Sequence, residues 1–583
     1  MNFTELNLNK EDWICLIIVI IFSFLCTAKM MLFTMSGCIL DPDIAIYLLS
    51  ALKYAGLDFY GVAYPQDLFY TPTISFLTSL IFRMGYVDKN AIIFVTGFLS
   101  FIGYIGLYYL LKNRFNSLLS LTGVVIYGSF LLVIFNISKG LVDIPAVSLS
   151  IWVLVFAIMA IDKNPKYFLI AFPLLVLAFF TKYTAGFILP LIILYYFMKR
   201  NIVDTFDCLL SDRTAFKEKL KGYLSSKEFK YIIFAIVISL ILTAIICKTL
   251  ILDLGGSLSF FNQSVNTFNG HSISKTSIDY VVDKSYYLDR LTDMLFGSRD
   301  ISPILAGLAY GICGLGILVK IIKNRSIFKS KKESFKTRYL DKVLIVASVL
   351  LILISLFTFK PHPNHMISNI SILIALTLIY SILEKYETDD KILSLDLLFL
   401  AYLLVNFIFM SLYSIKVERY ALPFVPPIVY FIILGLEGIV EDISSIKLSK
   451  LKLNKVIPIV LIAIFMFSTA SFMAPIEYER SNDVVYALNY YGFKGDLDDV
   501  CDFIIENVSD YHNESFASFN HHSRILRWYL NVNVTAIDEH DHNLTKFDNS
   551  TSYLILSEDS KLIDLNNYHK IKNCGDFNIY RHN

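Results

Sequence analysis

The stretch WICLIIVIIFSFLCTAKMMLF, residues 13–33, is followed closely by the tripeptide Asp41-Pro42-Asp43. The first stretch is long and apolar enough to cross a bilayer core, which takes about 20 residues. A carboxylate at the edge of a membrane costs free energy unless it has a task, so the two acids are functional candidates. Residues 44–56 then show the apolar spacing of an amphipathic helix. This pattern predicts a membrane helix that leads into a surface helix with two acids at its start.

Composition extends this prediction to most of the chain. The 583 residues are 56% hydrophobic, with a mean hydropathy of +0.59 and a net charge of +1. Soluble globular proteins carry fewer apolar residues, and a nearly neutral chain is a poor nucleic-acid binder. We therefore predict an all-α membrane domain with about thirteen helices, near residues 13–33, 90–111, 117–136, 143–161, 167–181, 184–198, 230–250, 302–322, 342–359, 365–383, 392–414, 420–439 and 455–474.

The distribution of Lys and Arg predicts the orientation in the membrane. Eight basic residues lie in 199–230 and nine in 320–342, with a third cluster at 447–455. Thirteen spans place all three clusters on one side, which the positive-inside rule makes cytoplasmic. The first span is long for a signal peptide, so we interpret it as an uncleaved anchor with a cytoplasmic N-terminus. Loops 34–89 and 252–301 and the C-terminal tail are then extracytoplasmic.

Two domains follow from the loss of long apolar runs after residue 474. Residues 1–474 form the multi-span domain, and residues 475–583 alternate predicted strands and helices, which is typical of a small α/β domain. Its five Asn-X-Ser/Thr sequons fit an extracytoplasmic location, although an Asn- and Ser-rich chain also makes them by chance. Cys501 and Cys574 are its only cysteines, and the sequence leaves open whether they form a disulfide bond.

Several ionisable residues gather at the predicted outer ends of the spans, and few lie at mid-depth. This pattern favours chemistry on a lipid headgroup over a transport path, which would place charges near the midplane. Structural alternatives remain: Asp41 and Asp143 can cap helices, Lys182 and Arg419 can snorkel, and His362 and His365 can belong to an interfacial turn. The group comprises Asp41, Asp43, Lys139, Asp143, Lys182, Lys360, His362, His365, Lys416, Glu418 and Arg419.

Four motifs, in matching order, resemble those of GT-C membrane glycosyltransferases such as the family 39 protein mannosyltransferases and the lipid A aminoarabinose transferases. Pro42-Asp43-Ile-Ala-Ile-Tyr47 is similar to their Pro-Asp-Glu-Ala-x-Tyr element in the first external loop. The others are Gly140-Leu-Val-Asp143-Ile-Pro145, Thr181-Lys182-Tyr183-Thr184 and Arg419-Tyr-Ala-Leu-Pro423-x-x-Pro426. One departure is that Asp41-Pro-Asp43 replaces the usual Asp-Glu pair, so the family acid is Asp43 or Asp41.

The resemblance implies transfer of a sugar from a polyprenyl (dolichyl) phosphate to a glycan, protein or lipid acceptor, with inversion at the anomeric carbon. The carboxylate that takes the acceptor proton is predicted to be Asp43, with Asp41 as the alternative. Arg419 and Lys182 are expected to stabilise the leaving phosphate. Three roles fit Asp143: orienting the acceptor, holding a divalent cation or assisting the base. Tyr47, His362 and His365 complete the predicted substrate-binding set.

Three other functions remain open at this stage. The first is transfer of a whole lipid-linked glycan or another group by the same fold. The second is a lipid or glycan flippase, which would need a polar path through the membrane. The third is a non-catalytic subunit of a glycosylation complex. A lipid-phosphate donor has no nucleotide diphosphate to neutralise, so we expect no metal ion, although the resemblance does not exclude one.

Overall fold

The computed structural model of this chain describes most of the membrane domain and most of the C-terminal domain. The described residues are 9–35, 41–57, 71–137, 139–203, 205, 213–254, 283–297, 301–334, 339–360, 364–384, 390–413, 416–443, 453–473, 496–537, 551–557 and 565–583. Of the predicted site residues, His362 lies outside them.

The membrane domain is a bundle of α-helices around one large apolar core. In chain order they are α1 (Lys10–Met35), α2 (Pro42–Ala55), α3 (Pro72–Arg83), α4 (Asn90–Lys112), α5 (Ser117–Ser129), α6 (Leu131–Asn136), α7 (Asp143–Asp162), α8 (Phe168–Phe179), α9 (Ile188–Lys199), α10 (Arg213–Leu224), α11 (Lys227–Leu250), α12 (Tyr286–Phe296), α13 (Ser302–Ser334), α14 (Tyr339–Phe357), α15 (Asn364–Leu383), α16 (Asp390–Leu412), α17 (Val425–Ile443) and α18 (Leu453–Met473).

The protein is a multi-pass membrane protein, as its composition predicts. Within the described residues, nine helices are long and apolar enough to cross a bilayer, and each coincides with one of the thirteen predicted spans. Three predicted spans, near 117–136, 167–181 and 184–198, fall on shorter apolar helices, the first of them divided at the extended residue Phe130. The predicted span 342–359 corresponds to α14. The number thirteen therefore stays a prediction.

The charged residues of the bundle lie mainly at its two ends. We call the end that bears Asp41, Asp43 and Asp143 the acidic end. The opposite end of the same helices carries basic residues, including Lys10 of α1, Lys112 of α4, Lys199 of α9 and Lys455 of α18. Lys199 and Lys455 belong to two of the basic clusters, 199–230 and 447–455, and the cytoplasmic location of this end stays a prediction.

The C-terminal domain has the α/β architecture that the sequence predicted. Strands β1 (Phe516–Phe519), β2 (Val534–Ile537), β3 (Tyr553–Ser557), β4 (Tyr568–Cys574) and β5 (Phe577–His582) form one sheet in the order β2-β1-β3-β5-β4. The first three are parallel, and β5 pairs antiparallel with β3 and β4. Helices α19 (Asp496–Asn507) and α20 (Asn520–Leu530) pack on it. Cys501 and Cys574 are both buried in this core.

Helix α20 joins this domain to the acidic end of the bundle. Ile525 and Trp528 lie in one apolar cluster with residues of α2, α3 and α4. The Trp528 ring stacks on Phe82 of α3, with 6.1 Å between the ring centroids and 19° between the planes. Helix α2, which the sequence predicted to lie on the surface, and helix α3 are therefore partly covered by the C-terminal domain.

Replacing Trp528 with Ala is expected to weaken this interface. The change removes a large buried side chain, and such a truncation costs about 3 kcal/mol or more when the cavity does not collapse. Limited proteolysis should release the C-terminal domain faster from the variant than from the wild-type protein. Trp528→Phe should restore most of the protection, because an aromatic ring can still stack on Phe82. Equal release rates for the wild type and the Ala variant would contradict this interface.

Candidate active site

The two acids of the first loop start helix α2. Asp41 is its N-cap: one carboxylate oxygen, Oδ1, accepts a hydrogen bond of 2.9 Å from the backbone N–H of Asp43, and Pro42 occupies the first helical turn. The capping alternative is therefore correct for Asp41. Asp43 lies in the first turn and is the more exposed of the two side chains, at 28% against 12%. The cap thus leaves Asp43 better placed to meet a ligand from solvent.

Arg419 connects the acids of two distant helices. It lies on a 3₁₀ helix, Glu418–Phe424, that precedes α17. Its Nη1 donates to Asp41 Oδ2 at 2.7 Å, and its Nη2 donates to Asp43 Oδ2 at 2.8 Å. Its Nε lies 3.8 Å from Asp143 Oδ2, at the start of α7. One guanidinium therefore holds three carboxylates together, in the fork geometry that also suits phosphate oxygens.

Lys182 contributes a second cation to the same place. Its ammonium forms an ion pair with Asp143 Oδ1 and lies 4.2 Å from the centre of the Tyr420 ring. Burial lowers the pKa of Lys182, and the charge of Asp143 opposes that shift. The five residues Asp41, Asp43, Asp143, Lys182 and Arg419 thus form one continuous cluster. We call these five residues the ionic cluster.

Backbone contacts fix the elements that carry the ionic cluster. Thr71, before α3, donates to the carbonyl of Thr181 at 2.6 Å, which ties the first loop to the segment of Lys182. Gly140 has a positive φ of +79°, and a Cβ there would lie 3.3 Å from Ile44 and from Ile92. A glycine therefore allows the loop before α7 to approach the first turn of α2 closely.

Lys139 also belongs to the site, although the sequence did not indicate this. It lies in the loop before α7, within electrostatic range of Asp41, Asp143, Glu418 and Arg419. Burial lowers its pKa to about 8, although the nearby acids raise it. Burial also raises the pKa of Asp41, which Arg419 opposes. The sequence signal was the proximity of Lys139 to the Asp143 motif, but nothing in its own pattern distinguished it from an interfacial anchor.

Two other predicted site residues lie away from the ionic cluster. Tyr47 is one turn after Asp43 but is only 5% exposed and belongs to the apolar cluster that α2, α3 and α4 form with α20. His365 is buried at the start of α15, edge-on to Phe409 with ring centroids 5.7 Å apart. Binding of substrate by Tyr47 and His365 therefore stays a prediction that these contacts do not support. His362 belongs to the undescribed residues.

Helix α12 packs beside the ionic cluster and supports the segment before Arg419. The Tyr287 hydroxyl donates to the carbonyl of Val417 at 3.2 Å, and its ring packs edge-on against Phe424. Lys416 Nζ donates to the last carbonyls of α16, those of Met410 and Ser411, at 2.6 and 2.8 Å. These contacts hold both sides of the Arg419 segment.

A small pocket adjoins the ionic cluster. Asp143, Lys182 and Arg419 line it together with residues of helices α7, α9 and α16. Its other lining residues are Ala146, Val147, Ser150, Thr184, Ala185, Phe187, Ile188, Tyr402, Asn406 and Pro423. In the described part of the chain, no group of three His, Cys, Asp or Glu side chains has the arrangement of a metal site. Asp41, Asp43 and Asp143 instead contact Arg419, and Asp143 also pairs with Lys182.

Residues 70–210, less than half of the chain, match the family model described as dolichyl-phosphate-mannose-protein mannosyltransferase. This segment contains Asp143 and Lys182. The match confirms, over these residues, the resemblance to membrane glycosyltransferases that the motifs predicted. No curated protein sequence matches the chain.

Two solved structures are similar along nearly the whole chain. One is ArnT from Cupriavidus metallidurans bound to undecaprenyl phosphate, with 12% identity and a TM-score of 0.48, covering 96% of this chain and 97% of that one. The other is the oligosaccharyltransferase AglB from Archaeoglobus fulgidus, in complex with an inhibitory peptide and a dolichol-phosphate. It shares 12% identity, with a TM-score of 0.45 and coverage of 94% of this chain and 69% of that one.

Proposed function

We propose that this protein transfers a sugar from a polyprenyl phosphate to an acceptor hydroxyl at the extracytoplasmic face of the membrane. The proposal rests on one observation. Three carboxylates, those of Asp41, Asp43 and Asp143, surround Arg419 at one end of a membrane bundle. Lys182 lies beside them and pairs with Asp143. Burying so many charges is unfavourable unless they serve a ligand or a reaction, so the cluster is a functional-site candidate. The family-model match supports the same reaction class.

In the proposed reaction, Asp43 accepts the proton of the acceptor hydroxyl. The acceptor oxygen forms the new bond to the anomeric carbon while the bond from that carbon to the phosphate oxygen breaks. The electron pair leaves with the polyprenyl phosphate, and the configuration inverts because attack and departure occur on opposite faces. Asp43 suits this role because it is more exposed than Asp41, whose Oδ1 caps α2 and whose Oδ2 accepts from Arg419.

Arg419 and Lys182 are the proposed phosphate ligands. Negative charge grows on the phosphate as the glycosidic bond breaks, and fixed cations lower the energy of that state. Arg419 offers two N–H groups in one plane, which match two phosphate oxygens. Asp143 holds both cations in place through its ion pair with Lys182 and its proximity to Arg419. Asp143 is therefore proposed to position the phosphate site.

The extracytoplasmic location is part of the proposal. The basic residues at the opposite end of the helices support it, because positively charged segments favour the cytoplasmic side. The C-terminal domain docks beside α2 at the acidic end, so it is placed to contribute to acceptor binding. A flippase is less well supported, because the charged cluster lies at one end of the bundle, and the other polar residues that line the pocket, such as Ser150 and Asn406, carry no charge.

A transfer assay tests the proposal directly. Membranes that contain the protein are incubated with a polyprenyl phosphate carrying a radiolabelled hexose, and the label is followed from the lipid extract into protein and glycan fractions. We expect transfer above the level of membranes without the protein, and accumulation of free polyprenyl phosphate in equal amount. Label that stays on the lipid under all acceptor conditions would contradict sugar transfer.

The pH dependence of the transfer rate should reveal the protonation state of Lys139. Its pKa is about 8, so it is charged below that pH and loses its proton as the pH rises through it. Loss of this positive charge weakens the site for an anionic phosphate, so the rate should fall above pH 8. Lys139→Arg should move the fall to higher pH, since arginine keeps its charge. Lys416 serves as the control, because its pKa is also lowered to about 8. The Lys416→Arg variant should still lose transfer rate above pH 8. The opposite pattern would assign the fall to Lys416.

A further inference from the structure

Helix α10 lies at the end of the bundle opposite the acidic end and takes no part in the proposed reaction. Only Ser225 and Ser226 separate it from α11. Early in α11, Ile233 and Phe234 are 44% and 61% exposed, as expected of a helix that faces lipid. At a rise of about 1.5 Å per residue, the apolar part of the bilayer begins roughly 10 Å from the start of α11. Helix α10 is therefore held at the surface of the membrane.

Aromatic and polar contacts hold one face of α10 against the bundle. The Tyr196 hydroxyl of α9 donates to the Tyr223 hydroxyl of α10 at 2.6 Å. The Tyr223 ring also packs edge-on against Phe229 of α11, with 5.5 Å between the ring centroids. Arg200, directly after α9, donates from Nε to a carboxylate oxygen of Glu228 at 3.0 Å and so ties α9 to the start of α11. Tyr223 therefore marks the face of α10 that the bundle covers.

The neighbouring face of α10 is apolar but exposed. Leu220 and Leu224 are one turn apart and are 42% and 47% exposed. With 3.6 residues per turn, they lie about 60° and 100° around the helix from Tyr223. They therefore continue the apolar stripe beyond the part that the bundle covers. At the level of the membrane surface, such a stripe gains free energy when it leaves water for the boundary between headgroups and acyl chains.

Lysines border the exposed leucines on the side away from Tyr223. Lys217 and Lys221 follow the leucines around the helix, and both are exposed. Glu218, the acid within the sequence of α10, lies on the far side of the helix from the leucines. Lys227 and Lys230, in the first turn of α11, add exposed positive charge at the same end of the bundle. This surface is therefore complementary in charge to anionic lipid headgroups.

We infer that α10 is an interfacial helix that binds the anionic lipids of the leaflet at this end of the bundle. Leu220 and Leu224 insert among the acyl chains next to the headgroups, and Lys217 and Lys221 bind lipid phosphate groups. Lipid is the occupant because two residues join α10 to a span, so its exposed stripe already lies at the bilayer surface. The inference is independent of the proposed function, since α10 contains no residue of the ionic cluster.

Hydrogen exchange of the full-length protein in lipid nanodiscs tests the inference. One set of nanodiscs contains phosphatidylcholine alone, and in the other set phosphatidylglycerol replaces part of it. The amides of residues 213–224 should exchange at least about fivefold more slowly in the anionic nanodiscs, which is the effect expected for one lysine near an anionic surface. Added salt should reduce this ratio of exchange rates, because it screens exposed charges.

Two double variants separate the roles of the lysines and the leucines. Lys217→Gln with Lys221→Gln should bring the ratio of exchange rates in the two lipids close to one. Glutamine has nearly the helix propensity of lysine, so α10 itself should persist. Leu220→Gln with Leu224→Gln should speed the exchange of α10 in both kinds of nanodisc, because insertion of apolar side chains does not depend on lipid charge.

Lys163→Gln with Lys166→Gln is the matched control. It removes two exposed charges from the same end of the bundle, between α7 and α8, and should leave the ratio of exchange rates for α10 as in the wild type. Equal exchange of wild-type α10 in the two lipids would overturn the inference, and so would an equal loss of the ratio in the control. Protection of α10 that rises with protein concentration in detergent and ignores anionic lipid would assign the stripe to a second copy of the chain and also overturn it.

Discussion

Replacing Asp43 with Asn is expected to lower the rate of sugar transfer about a thousandfold, with little change in folding. A general base contributes roughly 10² to 10⁴ to a rate, and asparagine cannot accept a proton at neutral pH. Asparagine has nearly the same shape and can still accept the hydrogen bond from Arg419. Binding of polyprenyl phosphate should therefore persist. The measurement is the turnover of the radiolabelled hexosyl lipid, alongside thermal unfolding of the same preparation.

Asp41→Asn is the matched control, because it lies two residues away and pairs with the same arginine. Asparagine is also a good N-cap, so α2 should keep its start. We expect a loss of about tenfold or less, through weaker positioning of Arg419. A severe loss for Asp41→Asn together with near-normal turnover for Asp43→Asn would reverse the assignment of the base. Full activity of both variants would favour the non-catalytic subunit.

Replacing Arg419 with Lys should lower turnover by about 10² to 10³, the range found when one transition-state donor is removed. Lysine keeps a positive charge but loses the planar fork that joins Asp41 and Asp43 and that would hold two phosphate oxygens. The affinity for polyprenyl phosphate should fall as well. Arg419→Gln should be worse, because removing the charge of a buried ion pair destabilises a fold by about 3–5 kcal/mol.

The chain offers a matched arginine at the opposite end of the bundle. Arg114 is also buried between acids, with Nε 3.2 Å from Asp396 Oδ1 and Nη2 2.9 Å from Glu437 Oε2. Arg114→Lys should reduce thermal stability, because lysine cannot bridge the two acids as the planar guanidinium does, yet leave turnover per folded molecule unchanged. If both substitutions lowered turnover equally, Arg419 would be a structural ion-pair residue and not a phosphate ligand.

The membrane architecture was accessible from the sequence because it depends on local composition. A run of about 20 apolar residues identifies a spanning helix wherever it occurs, and alternation with turn residues identified the strands of the C-terminal domain. The positions of Asp43, Asp143, Lys182 and Arg419 followed from short motifs. The number of spans was less secure, since the apolar helices α5, α8 and α9 are each shorter than a bilayer-spanning helix.

The sequence alone could not predict that the site residues converge, because these residues lie far apart in the chain. Arg419 contacts Asp41 across 378 positions, a pairing that only the packing of the bundle creates. The same holds for Trp528 on Phe82 and for Ser150 and Asn406 in one pocket. Helices that are apolar around their whole circumference give no pattern from which the inward face can be predicted.

The sequence alone therefore determined which segments enter the membrane and which short motifs carry acids and bases. Those properties arise from the free energy of placing each segment in lipid or water, which depends mainly on local composition. Tertiary structure decided that Arg419 meets Asp41 and Asp43, that Lys139 joins the site and that Tyr47 packs in an apolar cluster. These assignments depend on the directions in which side chains meet, and helix packing alone sets those directions.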